Sequence, residues 1–131
     1  MTDFMQLAIE EACIAARKGE VPVGTVIVRG NKVIAKAHNM REKKQNALAH
    51  AEVLAIGKAC RRLKSWRLDD CVMYVTLEPC AMCMGAAVNA RLQKVIIGAK
   101  SETDLNHKVE AEQDLRDECG KMLKDFFASK R

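Results

Sequence analysis

The sequence lacks the features that would place the protein in a membrane or outside the cell. None of its 131 residues lies in a run approaching the roughly 20 apolar residues that a membrane-spanning helix requires. The first residues, MTDFMQLAIEEA, carry an acid early and lack the basic stretch followed by an apolar one that marks a secretory signal. Internal repeats, linkers and low-complexity segments are also missing. We therefore expect a cytoplasmic protein with a single domain over residues 1–131, a usual length for one domain.

The sequence contains six cysteines, and the absence of a secretory signal decides how they are interpreted. In a reducing compartment disulfides are rare, so metal binding or catalysis is the favoured use of these thiols. The net charge of +5 fits a polyanionic partner, but many enzymes that act on small molecules are also basic. Charge alone therefore does not define the function.

The order of the apolar patterns predicts an α/β protein. A strand, a helix and another strand follow one another closely between residues 71 and 99, which implies a crossover connection and parallel pairing of the two strands. A polar loop is expected over residues 39–46. The other predicted elements are helices over 3–18, 47–63, 80–90 and 115–127, and strands over 23–28, 33–38, 71–77 and 94–99.

A fifth strand is the open question of this prediction. The segment HKVEA, residues 107–111, is either a short strand or the first turns of the last helix. Residues between Lys100 and His107 are too few for the crossover of about a dozen residues that a parallel strand needs. We therefore expect a strand antiparallel to the fourth, with a helical segment and a four-stranded sheet as the alternative.

The stretch TLEPCAMCMGAAV, residues 76–88, contains half of a metal site. Cys80 and Cys83 are three positions apart at the start of a predicted helix, so their side chains project in the same direction. The unpaired amides at a helix start favour thiolates. His50, at the start of another predicted helix, is the best candidate for the third ligand. Three protein ligands leave one position of a zinc ion for water, and Glu52 is placed to carry protons.

Other uses of these cysteines have to be weighed. Cys-x-x-Cys pairs also occur as redox pairs or as plain core residues, and a structural zinc site would recruit a fourth ligand. The candidates for that ligand are Cys60, Cys71 and His107. Glu52 favours catalysis, because a structural zinc site has no use for a carboxylate at that position. The pattern His-x-Glu followed by Pro-Cys-x-x-Cys is the signature of the zinc nucleobase deaminases.

Four longer stretches, EVPVGTVIV, AHAEVLAI, WRLDDCVMYVTLEPCAMC and RLQKVIIGA, resemble the bacterial tRNA adenosine deaminases. These enzymes convert adenosine to inosine at the wobble position of a tRNA anticodon. The resemblance implies a three-layer α/β/α cytidine-deaminase-like fold with a mixed sheet of four or five strands, and a homodimer. It further implies one zinc ion per chain on His50, Cys80 and Cys83, with Glu52 as the proton shuttle. The expected partner is a tRNA anticodon stem-loop.

The same resemblance implies a set of substrate contacts. The expected residues are Asn39, Ala51, Glu78, Pro79 and Phe127. Two of them have a structural alternative: Asn39 as a turn residue and Glu78 as a structural carboxylate. Phe126 and Phe127 could pack the core as well as flank the substrate loop, and the helical period favours core packing at least equally for Phe126. A basic cluster could hold phosphates or simply form a solvated helix face. Its members are Lys58, Arg61, Arg62, Lys64 and Arg67.

The chain departs from the family pattern after the fourth strand. A short helix and its loops are missing from this part, and Ser101 stands where the family has an aspartate. Because the missing segment helps to surround the anticodon loop, a deaminase of free nucleobases or nucleosides, such as guanine or cytosine, is the first alternative. A non-catalytic zinc-binding subunit that holds RNA is the second. Such subunits often lose the shuttle glutamate, whereas Glu52 is intact.

Overall fold

The computed structural model describes residues 2–101 and 111–129. Helices and strands alternate along most of this part of the chain, as the sequence predicts. The elements are α1 (Phe4–Arg17), β1 (Gly24–Arg29), β2 (Lys32–His38), α2 (Arg41–Lys44), α3 (Ala51–Leu63), β3 (Cys71–Val75), α4 (Ala81–Asn89), β4 (Lys94–Ile97), β5 (Ala111–Gln113) and α5 (Asp117–Ser129). Within the described residues, no helix combines the length and the apolar character needed to cross a bilayer.

The strands form one mixed sheet in the order β2-β1-β3-β4-β5. The β1–β2 and β1–β3 pairs are antiparallel, whereas the β3–β4 and β4–β5 pairs are parallel. The parallel pairing of β3 with β4 confirms the prediction from the strand-helix-strand succession.

Helices cover both faces of the sheet. On one face, apolar residues of α1 and Cys119 of α5 pack against Val26, Val28, Val72 and Tyr74. On the other face, the small residues of α3 and α4 pack against the alternate strand positions, among them Met73. Alternation of the strand side chains between the two clusters follows from the two-residue period of a strand. The predicted three-layer α/β/α fold is therefore confirmed.

Two predicted element boundaries need correction. The helix predicted over 47–63 begins only at Ala51, so His50 stands immediately before it and not inside it. The predicted polar loop contains the four-residue helix α2. Neither boundary has a strong local signal, because the residues before Ala51 are good helix formers and the charged REKK stretch has no apolar period. Tertiary contacts decide both cases.

The predicted direction of the fifth strand is wrong. β5 begins at Ala111 and runs parallel to β4. Residues 98–110 therefore connect the two strands, and this length meets the minimum of about a dozen residues for a parallel crossover. The prediction placed the strand earlier, over 107–111, and so counted too few connecting residues. Residues 102–110, which include His107, lie outside the described part of the chain.

Two members of the basic cluster bind the edge of the sheet. The Lys58 ammonium donates to the Lys36 carbonyl at 2.8 Å, and the Arg62 guanidinium donates to the carbonyls of Val33 and Ile34 at 3.1 Å each. These carbonyls belong to β2, an edge strand of the sheet. The two side chains thus satisfy edge acceptors and discourage pairing with another strand. This assigns Lys58 and Arg62 a structural role.

Gly24 is the position where α1 lies closest to β1, and we expect Gly24→Ala to destabilise the protein strongly. A Cβ atom there would overlap the Ala8 carbonyl oxygen and lie 2.5 Å from the Ala12 nitrogen. Relieving this overlap requires α1 to move away from the sheet, at a cost of about 1–3 kcal/mol or more. Urea unfolding of the variant measures the cost.

Gly120→Ala is the matched control for this substitution. Gly120 lies in α5, and a Cβ atom there meets no heavy atom within 4 Å. Its replacement should be neutral or stabilising by up to about 1 kcal/mol, because alanine favours a helix over glycine. Equal unfolding midpoints for the two variants would contradict the packing described for Gly24.

Candidate active site

The two helices on one face of the sheet bring three predicted metal ligands together. His50 is the residue before the first turn of α3, and Cys80 is the residue before the first turn of α4. Cys83 follows within the first turn of α4, where it is buried. The ends of two neighbouring helices therefore supply all three side chains.

The ligand atoms of these residues lie within 4.8 Å of one another. The His50 Nδ1 atom is 3.8 Å from the Cys80 sulfur and 3.5 Å from the Cys83 sulfur. One imidazole nitrogen and two thiol sulfurs are donors that zinc prefers. The group fits a zinc ion with three protein ligands and one further position.

The surroundings of the group shift the pKa values of Cys83 and His50 in opposite directions. Burial raises the pKa of the Cys83 thiol, and the neighbouring Glu52 carboxylate raises it further. Burial also lowers the pKa of His50, with a second contribution from Arg41, so the imidazole tends to be neutral and able to ligate. A divalent cation would offset the cost of the buried thiolate. The N-termini of α3 and α4 carry partial positive charge, which also offsets the cost of a buried thiolate.

A four-ligand structural site is not assembled in the part of the chain that the structure describes. There, no other histidine, cysteine or acid joins His50, Cys80 and Cys83. The two alternative cysteine ligands have other contacts: the Cys60 thiol faces the Trp66 carbonyl at 3.9 Å, and the Cys71 thiol faces Asp70 at 3.7 Å. Three ligands with an open position are the pattern of a catalytic zinc site.

Glu52 lies beside the group, in the first turn of α3. Its side chain is only 4 % exposed, and burial raises the pKa of its carboxyl to about 7. A carboxyl group with such a pKa exchanges protons readily near neutral pH. Glu52 is therefore a buried acid beside the three predicted ligands, and not a surface carboxylate.

A cavity of about 380 Å³ opens above these residues. This volume lies in the range of small-molecule sites. Predicted substrate residues Asn39, Ala51 and Glu78 lie in its wall together with Glu52. The full lining is Val21, Val23, Asn39, Arg41, His50, Ala51, Glu52, Leu77, Glu78, Cys80, Ala81 and Ser101.

Asn39 is buried at the end of β2 and its amide is partly used by the backbone. Its Oδ1 atom accepts a hydrogen bond from the Arg41 nitrogen at 3.1 Å, and its Nδ2 atom lies 3.5 Å from the Val21 carbonyl. The turn interpretation of Asn39 and its place in the cavity wall are thus compatible. The long Nδ2 contact leaves an amide donor that a ligand in the cavity could compete for.

Glu78 links the ends of β3 and β4. Its carboxylate accepts a hydrogen bond from the Ser101 nitrogen at 3.0 Å, and its own nitrogen donates to the Ala99 carbonyl at 2.8 Å. These contacts support the structural alternative for Glu78, which shapes the wall that Ser101 completes. Pro79, the other predicted residue of this segment, is buried and directly precedes Cys80.

Phe127 lies in a neighbouring groove and not in the cavity. This groove, of about 440 Å³, shares Val21, Asn39 and Arg41 with the cavity. The Phe127 side chain is 54 % exposed and meets Phe126 edge to face, with ring centroids 5.3 Å apart. Because the Phe127 ring lies in the groove beside the cavity, it is placed to contact the part of a ligand that remains outside the cavity, and not the part bound inside it.

Arg41 is the charged residue of the cavity wall that the sequence analysis missed. It is exposed and lines both the cavity and the groove. Its only sequence signal is its position two residues after Asn39, because the polar stretch around it has no period that predicts a fixed conformation. A cation at this position would attract the phosphate of a nucleotide bound in the cavity.

Sequence comparison shows which proteins this chain resembles. The profile of the MafB19-like deaminases matches residues 1–131. The tRNA-specific adenosine deaminase of Bacillus subtilis (strain 168) is 45 % identical over 143 aligned positions, which cover 98 % of this chain and 89 % of that protein. Since the alignment has more positions than the chain has residues, the Bacillus protein carries residues that this chain lacks. The extra residues of the Bacillus protein agree with the shortened segment that the sequence analysis describes after the fourth strand.

Structural comparison finds the same fold in two further deaminases. A structure from a study of A-to-I editing by tRNA:A34 deaminases at the wobble position of transfer RNA has a TM-score of 0.87 and 33 % identity, covering 94 % of this chain and all of that chain. The guanine deaminase from Bacillus subtilis has a TM-score of 0.72 and 30 % identity, covering 99 % and 94 %. The structural relatives thus include proteins named for each substrate class considered in the sequence analysis, tRNA and a free base.

Proposed function

The chain belongs to the MafB19-like deaminase family, and on this premise we propose that it is a zinc-dependent hydrolase that converts adenosine to inosine at the wobble position of tRNA. The observation that carries the proposal is the buried Glu52 beside the group of His50, Cys80 and Cys83, with Glu52, His50 and Cys80 in the wall of one cavity. The name of the Bacillus relative, at 45 % identity, supports the choice of substrate.

His50, Cys80 and Cys83 would hold the zinc ion. When bound, zinc makes a water molecule acidic enough to act as a nucleophile near neutral pH. Glu52 takes one proton from the attacking water and delivers it to N1 of the adenine. It then takes the second proton of that oxygen and delivers it to the departing amino group, so the oxygen stays on C6 and ammonia leaves. Asn39 and the wall formed by Glu78 and Ser101 orient the base, and burial of the site limits side reactions with bulk water.

The features around the cavity mouth support an RNA substrate over a free base. A nucleoside inside an RNA loop must leave its stack to enter the cavity, and its flanking phosphates and bases then remain at the mouth. Arg41 offers a cation there, and the exposed Phe127 offers a ring on which a flanking base can stack. A free base has no phosphate or flanking base for these residues to bind.

We expect Arg41→Ala to weaken RNA binding without slowing the chemical step. Loss of one phosphate contact should raise KM for an anticodon stem-loop by about tenfold and reduce the salt dependence of binding by about one ion. The value of kcat at saturating stem-loop should stay within about twofold, since the proposal gives Arg41 no role in the chemical step. Steady-state kinetics at several salt concentrations measure all three quantities.

Lys32→Ala is the matched control for charge. Lys32 is exposed and lies at the other end of β2, next to the hairpin turn. This variant loses the same charge away from the cavity, so its KM should equal that of the unmodified protein. A KM for Arg41→Ala that matches the Lys32→Ala value would remove the phosphate contact from the proposal.

The substrate assignment is tested by direct comparison of substrates. Zinc-loaded protein is incubated with an anticodon stem-loop whose wobble nucleotide is adenosine, and separately with free adenine, guanine, cytosine and their nucleosides. The proposal predicts inosine in the stem-loop and no comparable turnover of the free compounds. Turnover of a free base with an unchanged stem-loop would favour the base deaminase alternative. Zinc binding without turnover of any substrate would favour the RNA-holding subunit.

Two further parts of the proposal rest on the family resemblance. We propose a homodimer, and the exposed apolar side chains of Leu48 and Met82, each close in sequence to a zinc ligand, are compatible with a partner beside the site. Sedimentation equilibrium giving the mass of one chain would contradict it. We also propose a cytoplasmic location, where tRNA is found, and recovery of the protein outside the cytoplasmic fraction of lysed cells would argue against it.

A further inference from the structure

Glu20 is a buried carboxylate to which neither the metal site nor the proposed chemistry assigns a role. It follows Gly19, which adopts a φ of +77° after the end of α1, and its side chain is only 2 % exposed. A buried carboxylate is costly unless hydrogen bonds satisfy its oxygens. The contacts of Glu20 therefore indicate what it does.

Both carboxylate oxygens of Glu20 accept hydrogen bonds from the start of α2. The Glu42 nitrogen donates to Oε1 at 3.1 Å, and the Lys43 nitrogen donates to Oε2 at 2.8 Å. Met40, the residue before the first turn of α2, offers no side-chain hydrogen bond of its own. Glu20 thus satisfies, from a distant part of the chain, amides that a helix start normally leaves unpaired.

A second set of contacts joins the same two segments. The Asn39 nitrogen donates to the Val23 carbonyl at 3.1 Å, and the Asn39 side chain lies 3.5 Å from the Val21 carbonyl. Residues 20–23 therefore hold residues 39–43 at several points. Three of the residues joined in this way, Val21, Val23 and Asn39, line the cavity, and so does Arg41, which lies between Asn39 and Glu42 and whose nitrogen donates to the Asn39 side chain.

From these contacts we propose that Glu20 is a positioning residue for substrate binding. By holding the amides of Glu42 and Lys43, it fixes the turn of α2, and this turn places Arg41 and Asn39 in the cavity wall. What the cavity binds rests on the proposed function. The hydrogen bonds from α2 to Glu20 do not depend on the proposed function, and their strength can be measured without a substrate.

Glu20→Gln tests the hold directly. The variant keeps the shape of the side chain, but an NH₂ group replaces one acceptor oxygen and faces a backbone N–H. We expect hydrogen exchange at the Glu42 and Lys43 amides, followed by NMR on the zinc-loaded protein, to accelerate by at least about tenfold. Glu118→Gln, an exposed acid of α5, should leave these rates unchanged. Unchanged exchange in Glu20→Gln would overturn the proposal.

Kinetics separate positioning from a general loss of stability. Glu20→Gln should raise KM for the stem-loop by about tenfold with unchanged zinc content and with kcat within about twofold. If Glu20 acts through Arg41, Glu20→Gln should raise KM by a clearly smaller factor in the Arg41→Ala variant than in the unmodified protein. Independent effects of the two substitutions on KM would contradict the claim that Glu20 acts through Arg41.

Glu20→Asp covers the case in which the glutamine variant folds poorly. The shorter carboxylate keeps the charge but cannot reach both amides at their present distances. Its amide exchange and KM should both fall between those of the unmodified protein and Glu20→Gln. An aspartate variant that loses zinc, or that slows kcat while KM stays unchanged, would show that Glu20 supports the metal site instead, and the proposal would fail.

Discussion

Replacing Glu52 by alanine is expected to abolish deamination while the protein retains its zinc. The carboxyl group contributes no ligand to the group formed by His50, Cys80 and Cys83, so metal content should stay at one ion per chain. Loss of a positioned acid-base group costs about a hundredfold to ten-thousandfold in rate. The measurements are metal analysis of protein purified without chelator and inosine formation in the stem-loop.

Glu52→Gln provides the stricter form of this experiment. The amide fills the same buried space, so packing of α3 is preserved while proton transfer is lost. The exposed Glu118→Gln variant controls for removal of an acid elsewhere and should keep full activity. Deamination by Glu52→Gln at the rate of the unmodified protein would contradict the assigned role. Loss of zinc from this variant would mean that Glu52 supports the metal.

Replacing His50 by alanine is expected to remove both zinc and activity. His50 supplies one of three ligands, and its Nδ1 atom faces both thiol sulfurs. Two thiols alone are too few for a stable zinc site of this type. Without the metal, water is no longer acidified, so kcat should fall by at least about a thousandfold. Thermal unfolding should also become insensitive to added zinc, since ligand binding no longer stabilises the fold.

Cys60→Ala is the matched control for the metal ligands. Cys60 was a candidate fourth ligand, but its thiol contacts the Trp66 carbonyl. This variant should keep one zinc ion and its activity, whereas Cys83→Ala should behave like His50→Ala. Zinc retention and full activity in His50→Ala would contradict the site. Zinc loss in Cys60→Ala would indicate a structural four-ligand centre.

The sequence predicted that His50, Cys80 and Cys83 lie together, and the structure brings them together, because the signal is local and chemical. His50 with Glu52, and Cys80 with Cys83, are each fixed by the geometry of one helix start, and a single crossover between β3 and β4 places one start beside the other. The helices, the strands and the parallel pair were similarly predicted from the periods of apolar residues, whereas the three-layer arrangement was implied by the family resemblance. The roles of these residues and the single domain over residues 1–131 remain predictions.

The features that the sequence did not predict depend on distant contacts. The turn of α2 has no apolar period and is held by Glu20, which lies 22 positions before Glu42. The direction of β5 depends on where the connection ends, and a shift of four residues in its start makes a parallel crossover possible. Phe127 was expected at the substrate, but only the packing of α5 shows that it faces a groove beside the cavity.

One measurement tests the central claim most directly. The zinc-loaded protein converts a stem-loop with adenosine at the wobble position in water enriched in ¹⁸O, and the released nucleosides are analysed by mass spectrometry. The account predicts inosine at the wobble position only, with one ¹⁸O atom on its base and one ammonia released for each inosine formed. An adenosine that stays unchanged, or an inosine without ¹⁸O, would contradict hydrolytic deamination of tRNA by this site.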